Sequence, residues 1–315
     1  MKTGENKVSN NIITEYVSIN EIQQYMLHIQ NESSDVLLML HGGPCMPNSY
    51  TAHHVAPYLD FCNVVYYDQR GCGKTQLKSK SKPDDLTMDA LIADLRQTIS
   101  HLKERYQTKR IFLAGHSWGS VLGTEYIQRY PQDVVAYFGY GQCVATSVTD
   151  KIFYAHLKEK VLQSGNKRDI RKFQSVDENY PNIPLAQFVR GTSVLASLEL
   201  KYGYQAADVK QIVRKSPIMS FRDGMQIMKT EFADKIVGDV FHSYDIRDIT
   251  DYKTPVYYLL GRHDKWTDSV TAAQYFETIQ APKKALYWIE NAGHMVDTDK
   301  PKDFFGTIKE VMRSE

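Results

Sequence analysis

Six short runs of mainly apolar residues punctuate the chain: Val36–Leu40, Asn63–Tyr67, Ile111–Ala114, Val134–Phe138, Val256–Leu260 and Ala285–Ile289. A strand covered on one face alternates apolar and polar residues, whereas a strand covered on both faces reads as a continuous run. These six therefore predict buried strands of a parallel sheet. Ahead of them, alternation across Glu15–Ile19 and Gln24–Ile29 predicts an antiparallel hairpin turning at Asn20-Glu21. Helical periods lie between the runs, clearest over Thr87–Arg105, where Met88, Leu91, Ile92, Leu95, Ile99 and Leu102 form one stripe. Strands alternating with helices predict an α/β fold, a mainly parallel sheet with helices on both faces.

The alternation stops at residue 145 and resumes after residue 244. The intervening segment reads as short helices rich in Tyr, Phe, Lys and Arg, interrupted by Pro181 and Pro184. The expected organisation is a core domain of residues 1–144 and 245–315 with an inserted helical cap domain of residues 145–244. The insert carries a modest basic excess, which reads as a solvated surface. No internal repeat or low-complexity tract is visible, and the polar residues near the N-terminus are expected to fray.

Composition narrows the function classes. Lys and Arg number 38 against 37 Asp and Glu, a net charge of +1, so neither nucleic acid nor an anionic membrane is an expected partner. No run is long enough for a membrane span, and Met1–Asn10 lacks the apolar centre of a secretory signal, so the expected location is cytoplasmic. The four cysteines, Cys45, Cys62, Cys72 and Cys143, lack C-x-x-C spacing and are expected as reduced thiols. Cys45 and Cys72 fall in glycine-containing loops without an evident activating base and read as incidental. With no H-E-x-x-H and no cluster of cysteine ligands, no metal or cofactor is expected. The expected partner is a small-molecule or short-peptide substrate, and the oligomeric state stays open.

Gly115-His116-Ser117-Trp118-Gly119 has the G-x-S-x-G form and lies between the run Ile111–Ala114 and a helical pattern that lasts until Pro131. A strand feeding a helix through a tight turn is a nucleophile elbow, which makes Ser117 the candidate nucleophile. Its hydroxyl needs a base, and the base needs an orienting carboxylate. Asp264 follows the run Val256–Leu260 and His294 follows Ala285–Ile289, giving the chain order Ser, Asp, His and placing both at strand carboxyl ends. His263 and Asp268 compete for these roles. The former breaks the order, and the latter belongs to the following helix. Acyl transfer also needs two donors for the developing oxyanion. The N–H of Trp118 supplies one, and the loop His41-Gly42-Gly43-Pro44 supplies the other through Gly43.

Three motifs, His41-Gly42-Gly43-Pro44, Asp68-Gln69-Arg70-Gly71-Cys72-Gly73-Lys74-Thr75 and Gly115-His116-Ser117-Trp118-Gly119-Ser120, together resemble the α/β-hydrolase fold. The second narrows the resemblance to the proline iminopeptidase group. That resemblance implies hydrolysis of an amide bond, releasing an N-terminal residue through an acyl-enzyme. A carboxylesterase or amidase acting on a small acyl substrate is the alternative, and a non-catalytic ligand-binding chain is a further one. The resemblance also implies acidic cap side chains that hold the substrate's α-ammonium, and Thr230-Glu231-Phe232 makes Glu231 the expected ligand. The chain departs from the group in three places. Lys265 stands where relatives place a second acid, Cys45 where they usually continue with glycine, and the Trp-x-x-Trp-Glu cap signature is missing.

Overall fold

The structure, a computed structural model, describes residues 6–8 and 11–315. The expected fraying at the N-terminus falls largely outside the described residues. Within them a nine-stranded sheet forms the centre of the molecule. Its strands are β1 (Asn6–Lys7), β2 (Ile12–Ile19), β3 (Ile22–Ile29), β4 (Val36–Leu40), β5 (Asn63–Tyr67), β6 (Ile111–His116), β7 (Ala136–Tyr140), β8 (Val256–Gly261) and β9 (Lys284–Ile289). They lie in the order β1-β2-β3-β5-β4-β6-β7-β8-β9. The first three pair antiparallel, and every pairing from β5 across to β9 is parallel.

The hairpin of β2 and β3 turns at Asn20 and Glu21, both at positive φ (41° and 67°), the backbone twist that suits a two-residue hairpin. The long predicted helix runs Met88–Arg105, with the Thr87 side chain accepting from the Ala90 N–H at 3.1 Å as its N-cap.

The continuous apolar runs have the predicted cause. In β4, Val36, Leu38 and Leu40 enter one core cluster with Leu91, Leu95 and Val121 from the helices, whereas Leu37 and Met39 enter a second cluster with Phe304, Phe305 and Ile308. Each strand residue is thus buried on whichever side it points. Two expectations are corrected. β7 begins at Ala136, because Pro131–Asp133 forms a short 3₁₀ turn and Val134 and Val135 are still leading out of it. β9 is the outer strand of the sheet, and most of it is only half-buried, with Lys284 exposed. The guanidinium of Arg262, 3.9 Å from the Trp288 ring centre, covers part of that edge.

Between β7 and β8 the chain forms the helices Thr146–Gln163, Lys167–Phe173, Leu185–Tyr202, Val209–Arg214, Phe221–Ile227 and Glu231–Ile236. Pro184 caps the third of these instead of breaking it. The insert has a core of its own, built on Phe153, Leu157, Phe173, Tyr180, Phe188 and Leu195. Its two ends lie side by side: Ala145 bridges Asp245, the Thr146 N–H donates to Tyr244 O at 3.0 Å, and the Ile246 N–H donates to Val144 O at 2.9 Å.

Candidate active site

Ser117 sits between the end of β6 and the helix Trp118–Arg129 with φ 51° and ψ −118°, a conformation that costs a non-glycine residue about 1 to 3 kcal/mol. The turn is held by the Ser117 N–H donating to Tyr140 O at 3.1 Å and the Ser120 hydroxyl donating to Ser117 O at 2.6 Å. The flanking glycines make this turn possible. A Cβ on Gly115 would lie 2.5 Å from Gly119 O, and one on Gly119 would overlap the Leu40 carbonyl. The elbow is therefore pressed against the end of β4. The Ser117 hydroxyl has no hydrogen-bond partner among the described residues, which leaves it available.

The structure brings Asp264 and His294 together. Asp264 Oδ2 lies 3.0 Å from His294 Nδ1. The buried carboxylate is an acceptor, so Nδ1 carries the proton and Nε2 is left with its lone pair. Asp264 Oδ1 accepts the N–H groups of Trp266 (2.9 Å) and Thr267 (3.2 Å), and Oδ2 also accepts the Thr267 hydroxyl at 2.7 Å. Burial alone would raise the pKa of Asp264, but the His294 charge and these donors outweigh it and hold the carboxyl below its usual range. Burial works against the His294 imidazolium. The Asp264 carboxylate, with smaller contributions from Glu199 and Asp297, reverses this and lifts the histidine above its ordinary value.

His294 and Ser117 approach a common point around His116 and Gly141. A Cβ on Gly141 would meet the His294 ring at 2.9 Å, and one on Gly42 would meet His116 Nδ1 at 2.8 Å and Ser117 Cβ at 3.1 Å. The structure shows no Ser117–His294 hydrogen bond, a contact that in unliganded hydrolases commonly tightens only when substrate binds. His116 is structural. Its Nε2–H donates to His294 O at 2.9 Å, and burial lowers its pKa to about 3, so it stays neutral. The competitors fall elsewhere. His263 is exposed and stacks on Tyr204 at 4.2 Å, while Asp268 caps the helix Ser269–Thr278 by accepting the Thr271 N–H at 3.0 Å.

The two candidate oxyanion donors, the N–H groups of Gly43 and Trp118, have no acceptor among the described residues. The Trp118 N–H is one of the unpaired donors at the start of its helix. Gln69, just after β5, ties their two loops together. Its N–H donates to His41 Nε2 at 3.1 Å, its side-chain amide donates to His41 O at 3.3 Å, and its Oε1 accepts the Trp118 indole N–H at 2.9 Å. Because His41 Nε2 accepts, Nδ1 carries the hydrogen and donates to Gly42 O at 2.9 Å, and burial keeps the ring neutral with a pKa near 4. Gln69→Leu removes both side-chain links. Displacing an oxyanion donor costs less than deleting it, so kcat should fall roughly tenfold to a hundredfold with little change in KM. Steady-state kinetics test this, and a loss confined to thermal stability would show that Gln69 only fills space.

The remaining predicted residue, Glu231, lies on the insert. Glu231 is exposed at the first turn of its helix and pairs with no cation among the described residues. Lys265 is bound to Asp268 at 3.1 Å, which fixes its charge on the adjacent carboxylate. The acid that the insert does bring near His294 is Glu199, missed in the sequence. It is buried on the inward face of the helix Leu185–Tyr202, and its Oε2 has no partner. Burial, opposed only in part by His294, pushes its pKa to about 7. Its sequence signal was an acid on an apolar stripe, beside Leu195 and Leu198. Asp299 then joins insert and base loop: Oδ1 accepts the N–H groups of Ala206 (2.8 Å) and Ala207 (3.1 Å), and Oδ2 accepts that of Gly293 at 2.8 Å.

Known proteins resemble this chain in sequence and in fold. The probable aminopeptidase YbaC of Bacillus subtilis is 26% identical over 307 residues, covering 93% of this chain and 94% of the relative. A proline iminopeptidase of Heyndrickxia coagulans is 22% identical, covering 90% and 93% respectively. The crystal structure of a proline iminopeptidase from Mycobacterium smegmatis shares the fold, with a TM-score of 0.71 at 18% identity over 96% of this chain and 98% of that one. Residues 37–307 match the alpha/beta hydrolase family, a span that includes the elbow, the acid, the base and both donor loops. This chain belongs to the alpha/beta hydrolase family.

Proposed function

We propose that the chain is a serine hydrolase that works through an acyl-enzyme and releases the N-terminal residue of short peptides. Glu199 carries the substrate class. A buried carboxylate with an unpaired oxygen beside the base is costly alone, and a cation that pairs with it recovers that cost. The free α-ammonium of a peptide's N-terminal residue supplies such a cation, one that lies close to the first peptide carbonyl. In this reading residues 145–244 act as the cap over the site.

His294 Nε2 takes the Ser117 proton as Oγ attacks the carbonyl carbon, and the Gly43 and Trp118 N–H groups hold the oxyanion. Asp264 keeps the imidazole in the required tautomer. The same histidine gives the proton to the leaving amine and then activates the water that releases the acyl product.

Glu199→Gln tests the assignment. Leaving a buried charge unpaired costs about 3 to 5 kcal/mol, so kcat/KM for a free-amino prolyl arylamide should fall at least ~100-fold while that for p-nitrophenyl acetate stays within about threefold. Equal losses would refute ammonium recognition. An unmodified enzyme that cleaves the ester but no arylamide would place the chain among small-acyl esterases.

The pH profile offers a second check. The ester needs only neutral His294, which Asp264 lifts above its ordinary value, whereas the arylamide needs neutral His294 and also ionised Glu199, whose pKa is about 7. On the acid side log kcat/KM should rise with a limiting slope near one for the ester and near two for the arylamide. Equal slopes would count against Glu199.

A further inference from the structure

Cys45 and Cys72 read as incidental in the sequence. In the structure their sulfurs lie 2.6 Å apart, although 27 positions separate them in the chain. Cys45 is the partly exposed member, two residues after Gly43, and Cys72 is buried, three residues after Gln69. The Cys45 thiol also points at Gly71 O, 3.9 Å away, and the Cys72 thiol at Arg70 O, 3.4 Å away. Both side chains therefore face each other across the seam between the His41–Pro44 loop and the loop after β5 that carries Gln69. The other two cysteines, Cys62 and Cys143, are buried elsewhere. Cys62 belongs to the second core cluster, and Cys143, in the cluster against which Cys45 packs, is buried beside Ser120, whose hydroxyl accepts its N–H at 2.9 Å.

We propose that Cys45 and Cys72 form a dithiol site that reacts with low-molecular-weight disulfides and closes to an intramolecular disulfide, covalently joining the oxyanion loop to the loop after β5. The Cys45 thiolate attacks one sulfur of the small disulfide, forming a mixed disulfide and expelling one thiolate. Cys72 gives its proton to that thiolate and attacks Cys45 Sγ, breaking the mixed bond and expelling the second small thiol. Two protein thiols are oxidised, and one small disulfide is reduced to two thiols. Cys45 attacks first because it is reachable, while burial and its neighbour push the Cys72 thiol well up. The bond needs little movement of either loop. It closes a ring from residue 45 to residue 72, which restricts the unfolded chain and should raise Tm by about 5 °C.

The full-length protein is equilibrated with mixtures of reduced and oxidised glutathione, quenched with an alkylating agent, and mapped by peptide mass spectrometry. The expected result is loss of two alkylatable thiols, a Cys45–Cys72 cross-linked peptide pair and a raised Tm, with Cys62 and Cys143 still free. Cys72→Ser should stop the sequence at its first step and hold glutathione on Cys45, while Cys45→Ser should take up none. Stable glutathione on Cys45 of the unsubstituted protein, a cross-link to Cys62 or Cys143, or no change in thiol count at oxidising ratios would each overturn the proposal. Because the readouts are mass and Tm, they stand whatever substrate the enzyme takes.

Discussion

Ser117→Ala is expected to lower kcat for an activated ester by about 10⁶ and to abolish covalent labelling by a fluorophosphonate, leaving a residual rate of roughly 10³ to 10⁴ over water from the oxyanion donors and binding. The direction is set by the local geometry. Ser117 is the hydroxyl at the elbow, it has no hydrogen-bond partner among the described residues, and its neighbour His116 packs against the His294 ring at 4.8 Å. No neighbouring nucleophile can replace it. The Ser120 hydroxyl is engaged with Ser117 O and receives the Cys143 N–H at 2.9 Å. Folding should survive, because alanine keeps the Cβ and loses no hydrogen bond made by the hydroxyl. Initial rates together with gel-based labelling decide the matter. A variant that still labels, or retains more than a hundredth of the parent rate, would move the nucleophile elsewhere.

Asp264→Asn should cost about 10⁴ in kcat while the protein stays folded. Asparagine keeps the shape and still accepts the Trp266 and Thr267 N–H groups through its oxygen. Its amide, however, donates toward His294 Nδ1. The imidazole must then accept at Nδ1 and carry its hydrogen on Nε2, where it cannot take the serine proton. The acidic limb of the profile should also shift to lower pH, since the carboxylate that lifts His294 is gone. Rates across pH, with circular dichroism to verify folding, test both parts. A loss below tenfold would show that another acid orients the base.

Much of the fold could be read from residue order because it rests on local patterns. A parallel strand covered on both faces has to be apolar throughout, and four of the six runs lie wholly in strands with all their residues buried, while the run at β7 starts two residues ahead of its strand. The sixth, at β9, looked the same because its aromatic and aliphatic side chains are shielded at the sheet edge by a long basic side chain, which a run of letters does not distinguish from a second helical layer. The places of Ser117, Asp264 and His294 were legible for a related reason: each directly follows its own strand. Gln69 could be quoted within a motif, yet its role could not be inferred, since it depends on His41 and Trp118 meeting across different loops. Glu199 was hidden because an acid in a helix normally faces water, and only tertiary packing reveals that this one does not. Glu231 came from family likeness in a segment where the helices follow no shared pattern, and it stands exposed at the first turn of its helix.

The paired ends of the insert, where Ala145 meets Asp245, have an evolutionary consequence. A segment that leaves and rejoins the sheet at one point behaves as a detachable cassette. It can lengthen, shorten or be replaced without shifting the register of β7 against β8, provided the replacement keeps the Ala206 and Ala207 contacts with Asp299 that brace the loop of His294. Selection can therefore vary which molecules are admitted while the bond-breaking apparatus is inherited unchanged, and a laboratory chimera cut at residues 145 and 245 would exploit the same division.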